Sequence, residues 1–262
     1  MIPAVIPPLT GLSVLVTRPA PQSEVLAARI RTLGGEAWVV PAIDIKALPA
    51  SVTASYQLVI FVSVNAVEHG ASLVVKNTDT RIAAIGKATA AALASTSLPA
   101  DIVPEHGFTS EALLEHPQLA LAAGARILIV RGCGGREVMQ QTFAARGFTV
   151  DTLDVYERVL PALDELRRAE VESHWAAGNI DAVTATSVET LSNLSALLSE
   201  QGRQLLKLTP LVVPSGRVRD AAAQMGLCGE CLVASGADDE SIVGALSRWH
   251  TRARFPAGRA VQ

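Results

Sequence analysis

Ile127 to Arg158 reads ILIVRGCGGREVMQQTFAARGFTVDTLDVYER. An apolar run, Ile127 to Val130, ends in Arg131-Gly132-Cys133-Gly134-Gly135-Arg136. A helical pattern then starts at Glu137, Gly147 stops it, and a second strand runs out at Tyr156. This is strand, glycine-rich turn, helix, strand. The same plan stands near the start of the chain, in VLVTRPAPQSEVLAARIRTLGGEAWVVPAIDI, Val14 to Ile45. Arg18 and Arg131 occupy equivalent places, 113 positions apart. The chain is built twice.

The repeat extends outward from there. QLVIFVSVNAVEHGASLV aligns with DAVTATSVETLSNLSALL and sets Ser63 on Ser187. RIAAIGKATAAAL aligns with PLVVPSGRVRDAA and sets Gly86 on Ser215; TSEALL aligns with DDESIV at the same offset. Each half then holds five short apolar strands, each followed by a small or polar turn and a helix. That pattern predicts an α/β fold with parallel sheets covered on both faces. The repeat alone predicts two tandem domains of ordinary size, split near Gly124.

Strands are expected at 13–17, 37–40, 56–61, 81–85, 102–103, 181–184, 211–213 and 232–233, with an exposed extended segment at 43–48. Ser23 is expected to cap a helix over 24–33, and Ser63 opens a helix to about Val74. Gly86 opens the next helix, and Thr109 or Ser110 caps the one after it. Further helices are expected over 163–176 and 186–198, after Arg217 to Met225, and from about Ala237 to Trp249. Residues 251–262 read as a loose tail.

The 262 residues are 49% hydrophobic and 18% charged, with net charge −3; mean hydropathy is +0.33. Such a chain fills a core and is not disordered. It lacks the basic field that would draw nucleic acid or an anionic membrane. No apolar run approaches the roughly 20 residues of a membrane span, and no secretion signal is evident, so a soluble, cytoplasmic protein is expected. Three cysteines make no disulfide framework. Cys228-Gly-Glu-Cys231 has no histidine nearby in sequence and reads as a reduced loop rather than a metal or redox site. The five histidines show no ligand spacing and read as surface residues, His106 alone standing in a plausible turn.

In open parallel sheets ligands gather at the carboxyl ends of the strands, and every polar turn noted above lies there. Each also starts a helix, whose free N–H groups favour anions. Domains that faced each other across a cleft would line it with these turns, suiting a polyanionic small molecule. Residue by residue, two readings stand. The Gly132–Arg136 turn is an anion cradle or a tight connection. Arg18 and Arg131 fork onto carboxylates or form internal salt bridges. Lys87 points to solvent or to an anion. Ser63, Ser110, Thr186 and Ser187 are explained by capping alone. Tyr156 is a proton donor or a half-buried anchor.

The assembled motifs resemble the uroporphyrinogen-III synthase family, from about Leu12 to Leu246. The carriers are Val16-Thr17-Arg18-Pro19, Phe61-Val62-Ser63-Val64-Asn65-Ala66-Val67 and Ile85-Gly86-Lys87-Ala88-Thr89-Ala90. They continue in Ser110-Glu111-Ala112-Leu113-Leu114, Val130-Arg131-Gly132 with Gly135-Arg136-Glu137, Val155-Tyr156-Glu157-Arg158 and Thr186-Ser187. The second half departs from the family at Pro214-Ser215-Gly216-Arg217, where a Gly-x-x-Thr-Ala type of turn is common.

The resemblance implies two similar flavodoxin-like domains joined by a two-stranded connection, with the active site in the cleft. It implies an interleaved layout in place of the tandem one: residues 1–45 with 160–250 as one domain, 49–155 as the other, and crossings at 43–48 and 155–161. It implies a cofactor-independent, cyclising hydro-lyase that is a monomer and needs no metal. The substrate would be a linear tetrapyrrole, hydroxymethylbilane, converted to uroporphyrinogen III, and the resemblance leaves room for transient contact with hydroxymethylbilane synthase. Tyr156 would be catalytic. Arg18, Ser63, Asn65, Gly86, Lys87, Thr89, Ser110, Arg131, Gly132, Gly135, Arg136, Thr186, Ser187 and Ser215 would bind substrate. The rival reading is a two-lobed protein that binds or senses an anionic ligand without chemistry.

Overall fold

Strands and helices mostly alternate along the computed structural model, which describes residues 7–107, 109–135, 137–227 and 229–254. In chain order the first half contains β1 (Ser13–Val16), α1 (Ala20–Thr32), β2 (Glu36–Val39), β3 (Asp44–Ala47), β4 (Leu58–Phe61), α2 (Val64–Gly70), β5 (Arg81–Ala84), α3 (Lys87–Ala94) and α4 (Ser110–Leu114). There follow β6 (Arg126–Gly132), α5 (Val138–Ala145), β7 (Thr149–Val159), α6 (Glu165–Ala176), β8 (Ala182–Thr184), α7 (Val188–Leu197), α8 (Glu200–Leu208), β9 (Leu211–Val213), α9 (Gly216–Gln224), β10 (Cys231–Val233) and α10 (Asp239–Arg254).

The chain divides into two compact units. Residues up to Asp44 join those from Leu160 onward; Ile45–Val159 form the other. The first unit is a parallel sheet in the order β2-β1-β8-β9-β10. The second is ordered β3-β7-β6-β4-β5, with β7, β6, β4 and β5 mutually parallel. A single backbone bridge from Ala83 to Ile102 adds a residue of strand beyond β5. Under the repeat, β6 matches β1, β7 matches β2, β4 matches β8 and β5 matches β9. The two sheets therefore share one strand order over these four pairs, and the chain enters the second through β3, which the repeat does not match, before β4.

The tandem split near Gly124 is overturned by strand pairing. Leu15 pairs with Val183, and Ser13 and Asp181 exchange two hydrogen bonds of 2.8 Å. Sequence likeness tells which strands are equivalent, whereas pairing is settled by which edges meet in space.

Strands β1, β4, β8 and β9 are buried along their whole length, with apolar residues to both sides, because each sheet is covered twice. In the first unit Val14, Val16, Ala182 and Val212 pack with residues of α1 and α10. Leu15, Val183, Leu211 and Val213 pack on the other face with α6, α7, α8 and α9. In the second unit Val59, Phe61, Ile82, Leu128 and Val130 face α2 and α3, while Leu58, Ile60, Ala83, Ile127 and Ile129 face α4 and α5. The period of two along each strand thus sorts residues between two half-cores. Gly34 and Gly147, equivalent under the repeat, both take positive φ (87° and 84°) where α1 and α5 give way to strands, a conformation glycine adopts without a Cβ penalty.

Several boundaries differ from the sequence expectations. Ser23 does not cap α1. The helix begins at Ala20 behind Pro19, and the buried Ser23 hydroxyl donates instead to the Arg18 carbonyl. Pro21 in the first turn has φ preset for helix and lacks an N–H that would go unused there. Strand β6 continues through Arg131 and Gly132, and β7 runs on to Val159, since each has a neighbour to pair with. Helix α2 ends at Gly70 and a 3₁₀ turn, Ala71–Leu73, completes the expected stretch. Helix α8 was not anticipated. It is capped by Ser199, carries Glu200 in its first turn and Lys207 in its last, and these signals stood in the sequence. Helix α10 extends to Arg254, so Thr251 to Arg254 are helical rather than tail; 255–262 lie outside the described residues.

Candidate active site

The carboxyl edge of the second unit's sheet gathers most of the expected residues. Strand β4 delivers Ser63, β5 delivers Gly86, β6 delivers Gly132, and β7 places Tyr156 opposite Gly132. Tyr156 is 5% exposed. Its carbonyl accepts from the Cys133 N–H at 2.8 Å, which fixes the backbone. Its hydroxyl lies 3.2 Å from Ser63 Oγ, which also accepts from the Ala66 N–H at 3.0 Å as the cap of α2.

Tyr156 reaches this position through an irregularity in the ladder. Arg131 pairs with Asp154, but Gly132 pairs with Tyr156, so Val155 is an extra residue on β7. Regular pleating would send Val155 and Tyr156 to opposite faces. The bulge breaks that alternation, and both are buried in the half-core beneath α2. The ring then lies against the Gly132 backbone. A Cβ on Gly132 would stand 2.5 Å from Tyr156 Cζ and 2.9 Å from its hydroxyl oxygen, so only glycine leaves this space.

Beside the tyrosine, Arg131 Nε donates to Asp154 Oδ1 at 2.8 Å, and Arg131 Nη1 lies 3.5 Å from the Gly135 carbonyl. The guanidinium thus braces the turn from inside. Asn65 is half-buried in α2, and Ser110 is buried at the start of α4. Thr109, not Ser110, accepts from the Ala112 N–H at 3.2 Å. Thr89 is buried in the first turn of α3, where Lys87 is exposed.

Helices α1, α3, α5 and α9 start without a side-chain cap. Ser63 and Ser187 cap α2 and α7 with their side chains. Helices α3 and α9 have Gly86 and Ser215 at the cap position, and neither receives a side-chain cap. Gly86 and Ser215 are equivalent under the repeat. The first-turn N–H groups of these helices are the anion-binding kind.

In the first unit Arg18 is buried and already engaged. It pairs with Asp239 at the start of α10 and donates to the Ala237 carbonyl. A substrate carboxylate would have to displace Asp239. Ser187 uses its hydroxyl locally, 2.9 Å from Thr190 Oγ1 and 3.0 Å from the Thr190 N–H; Thr186 beside it is half-buried. Arg136 and Cys228 lie outside the described residues.

The sequence reading missed His69. It was taken as a surface residue, yet it is half-buried with its ring centroid 6.0 Å from that of Tyr156. The signal was its spacing: Ala66, three residues before it, lies on the buried face of α2. His116 and His250 are also half-buried rather than on the surface; His250 Nε2 lies 3.0 Å from the Thr10 carbonyl. The other tyrosine, Tyr56, precedes β4 and belongs to the opposite edge. Burial, then the hydrogen bond to Asp151, pushes its phenol above the ordinary range. Burial likewise raises the Cys231 thiol, which leaves it a poorer nucleophile. Among the described residues no group of His, Cys, Asp and Glu forms a metal cluster, and no helix is long and apolar enough to cross a membrane.

The family model described as Uroporphyrinogen-III synthase HemD matches residues 24–244. The uroporphyrinogen-III synthase of Escherichia coli strain K12 is 35% identical over 251 residues, covering 90% of this chain and 100% of that one. The Synechococcus elongatus protein of the same name is 31% identical over 214 residues, covering 73% of this chain and 76% of that one. Among solved structures, the uroporphyrinogen-III synthetase of Helicobacter pylori 26695 has TM-score 0.55 at 13% identity, covering 93% of this chain and 100% of that one. A mutant uroporphyrinogen III synthase from the extremely thermophilic bacterium Thermus thermophilus has TM-score 0.55 at 16% identity, covering 93% and 99%. At such identities these two structures speak to the two-domain α/β fold alone.

Proposed function

This chain belongs to the uroporphyrinogen-III synthase family, and from that premise we propose that it closes linear hydroxymethylbilane into uroporphyrinogen III, inverting ring D and releasing water. The observation that carries the reading is the fixed phenol of Tyr156 at the carboxyl edge of its sheet, held by Ser63 and seated on Gly132. Loss of hydroxide from the ring A hydroxymethyl group calls for an acid. A phenol is a weak acid, so it assists by hydrogen bonding as the bond breaks rather than by full protonation beforehand. Ring D then attacks through its substituted carbon, giving a spiro intermediate. That path requires a substrate held coiled, so positioning supplies most of the rate.

The substrate's carboxylates suit the uncapped starts of α3 and α9, at Gly86 and Ser215. Contacts there run through backbone N–H groups, so Ser215→Ala changes KM little. Asn65, Lys87, Thr89, Ser110, Gly132, Gly135, Arg136, Thr186 and Ser187 remain proposed substrate contacts. Arg18 and Arg131, each holding an internal carboxylate or carbonyl, support the turns. The reaction is that of a cyclising lyase without cofactor or metal, carried out by a cytoplasmic monomer that takes its substrate from hydroxymethylbilane synthase.

The test supplies hydroxymethylbilane continuously from its synthase, adds this protein, and resolves the isomers formed. The type III isomer is expected. Type I alone, the product of spontaneous closure, refutes the reading and leaves a ligand-binding protein in its place.

A further inference from the structure

The two copies of the repeat differ at one capping contact. At Ser187 the hydroxyl meets the Thr190 hydroxyl at 2.9 Å and caps α7. Its equivalent Ser63 caps α2 in the same way, but the residue matching Thr190 is Ala66. Alanine leaves the Ser63 hydroxyl to another partner, and that partner is Tyr156 at 3.2 Å. The positions matching Gly132 and Tyr156 in the first copy are Pro19 and Ile43. Ala66, Gly132 and Tyr156 thus differ together, and their differences converge on one phenol.

Either hydroxyl of that contact can be the donor. Ser63 Oγ carries one proton and two lone pairs. One lone pair accepts the Ala66 N–H. If the Ser63 proton goes to the phenolic oxygen, the phenolic proton is left for the substrate. Among the described residues the Tyr156 hydroxyl has no other hydrogen-bond partner. His69 of α2 has its ring centroid 6.0 Å from that of Tyr156; further ionisable neighbours are Cys133, whose N–H binds the Tyr156 carbonyl, the Arg131–Asp154 pair on the adjoining strands, and Glu157, next in the chain and paired with Lys46 at 3.3 Å.

We infer that Ser63 and Gly132 are positioning residues for Tyr156: Gly132 opens the space for the ring, and the Ser63 hydroxyl donates to the phenolic oxygen and directs the phenolic proton at the leaving hydroxyl. This rests on the proposed function. In the step, the carbon–oxygen bond of the hydroxymethyl group breaks and the departing hydroxide takes the phenolic proton as water. The phenolate is stabilised by Ser63 and regains a proton when the ring carbon loses one in the final closure.

Four variants test this: Ser63→Gly, Ser63→Thr, Tyr156→Phe, and Ser63→Gly with Tyr156→Phe. Glycine is tolerated as a cap while lacking the hydroxyl. Ser63→Gly is expected to lower kcat for the type III isomer about tenfold, the scale of a hydrogen bond to a charged group, with KM little changed. Threonine restores the rate, and the double variant is no slower than Tyr156→Phe. Equal loss from Ser63→Gly in both backgrounds overturns the inference while sparing the role of Tyr156. Full activity of Tyr156→Phe overturns both. A second readout needs no turnover. The chain has two tyrosines, so in a Tyr56→Phe background the ultraviolet ionisation curve reports Tyr156. Ser63→Gly moves its midpoint upward, because a donor to the phenolate is lost. An unmoved midpoint overturns the inference.

Discussion

Replacing Gly132 with alanine would put a methyl carbon 2.5 Å from Tyr156 Cζ, 2.6 Å from Cε2 and 2.9 Å from the hydroxyl oxygen. Carbon–carbon contacts are comfortable at about 3.5 Å or more, so the ring has to move by about 1 Å. Its backbone cannot follow, because the Tyr156 carbonyl is bound to the Cys133 N–H at 2.8 Å inside a paired strand. The ring therefore turns out of its rotamer and leaves Ser63. Overpacking of this kind costs about 1–3 kcal/mol of stability. The functional loss is larger, since a misplacement of about 1 Å in a reacting group costs about 100-fold in rate. The assay is the initial rate of type III formation at saturating hydroxymethylbilane, with urea denaturation followed by circular dichroism on the same preparations. The expected outcome is a modestly destabilised, folded protein with kcat down about 100-fold. A variant with unchanged rate and unchanged stability would refute the reasoning, because it would mean that the tyrosine does not depend on the missing Cβ.

The buried carboxylate of Glu172 accepts from the Ser199 N–H at 2.8 Å and from its hydroxyl; Glu172→Ala is expected to cost about 2–3 kcal/mol in urea titration. Gly202→Ala sets a Cβ against Glu172 Oε1 and destabilises through the same contact, so the double variant falls short of the sum of the singles. Arg18→Met strips the partner from a largely buried Asp239; stability falls by roughly 3 kcal/mol while KM for hydroxymethylbilane stays within about twofold, and the reverse pattern would return Arg18 to the substrate. For Asp101, partial burial pushes the carboxyl up, but hydrogen bonds from Lys76 and the Ile82 N–H, with the charges of Lys76 and Arg81, hold it below the usual carboxylate range. With a lowered folded-state value, its stabilisation is present above the ordinary carboxylate pKa and is lost as pH falls through the lowered one. The Tm gap between the wild type and Asp101→Asn should accordingly be widest near neutrality and close at low pH.

The fold was legible wherever a local rule governed it. Apolar runs such as 58–61 and 127–130 became strands because a doubly covered sheet asks for residues apolar on both sides. Gly34 and Gly147 ended helices because the chain there needs positive φ. Where two local rules competed, the reading slipped. Ser23 looked like a cap, but proline preset the turn before it. Helix α8 was overlooked although Ser199, Glu200 and Lys207 mark its ends. The site was legible as a set of turns but not as a geometry. Tyr156 was singled out as a phenol beside charged residues, and its contact with Ser63 depends on a bulge that no periodicity reveals.

By itself, then, the sequence determined that this chain holds two copies of one α/β unit, with small and polar residues after each strand, because periodicity and turn chemistry act within a few residues. Periodicity and the repeat could not determine which strands pair. Val14 to Val16 lie beside Ala182 to Thr184, and that choice belongs to sheet edges brought together across the whole chain. Nor could they show that Ser63, Gly132 and Tyr156 meet, since their contact is made by one extra residue in β7 and one absent Cβ in β6.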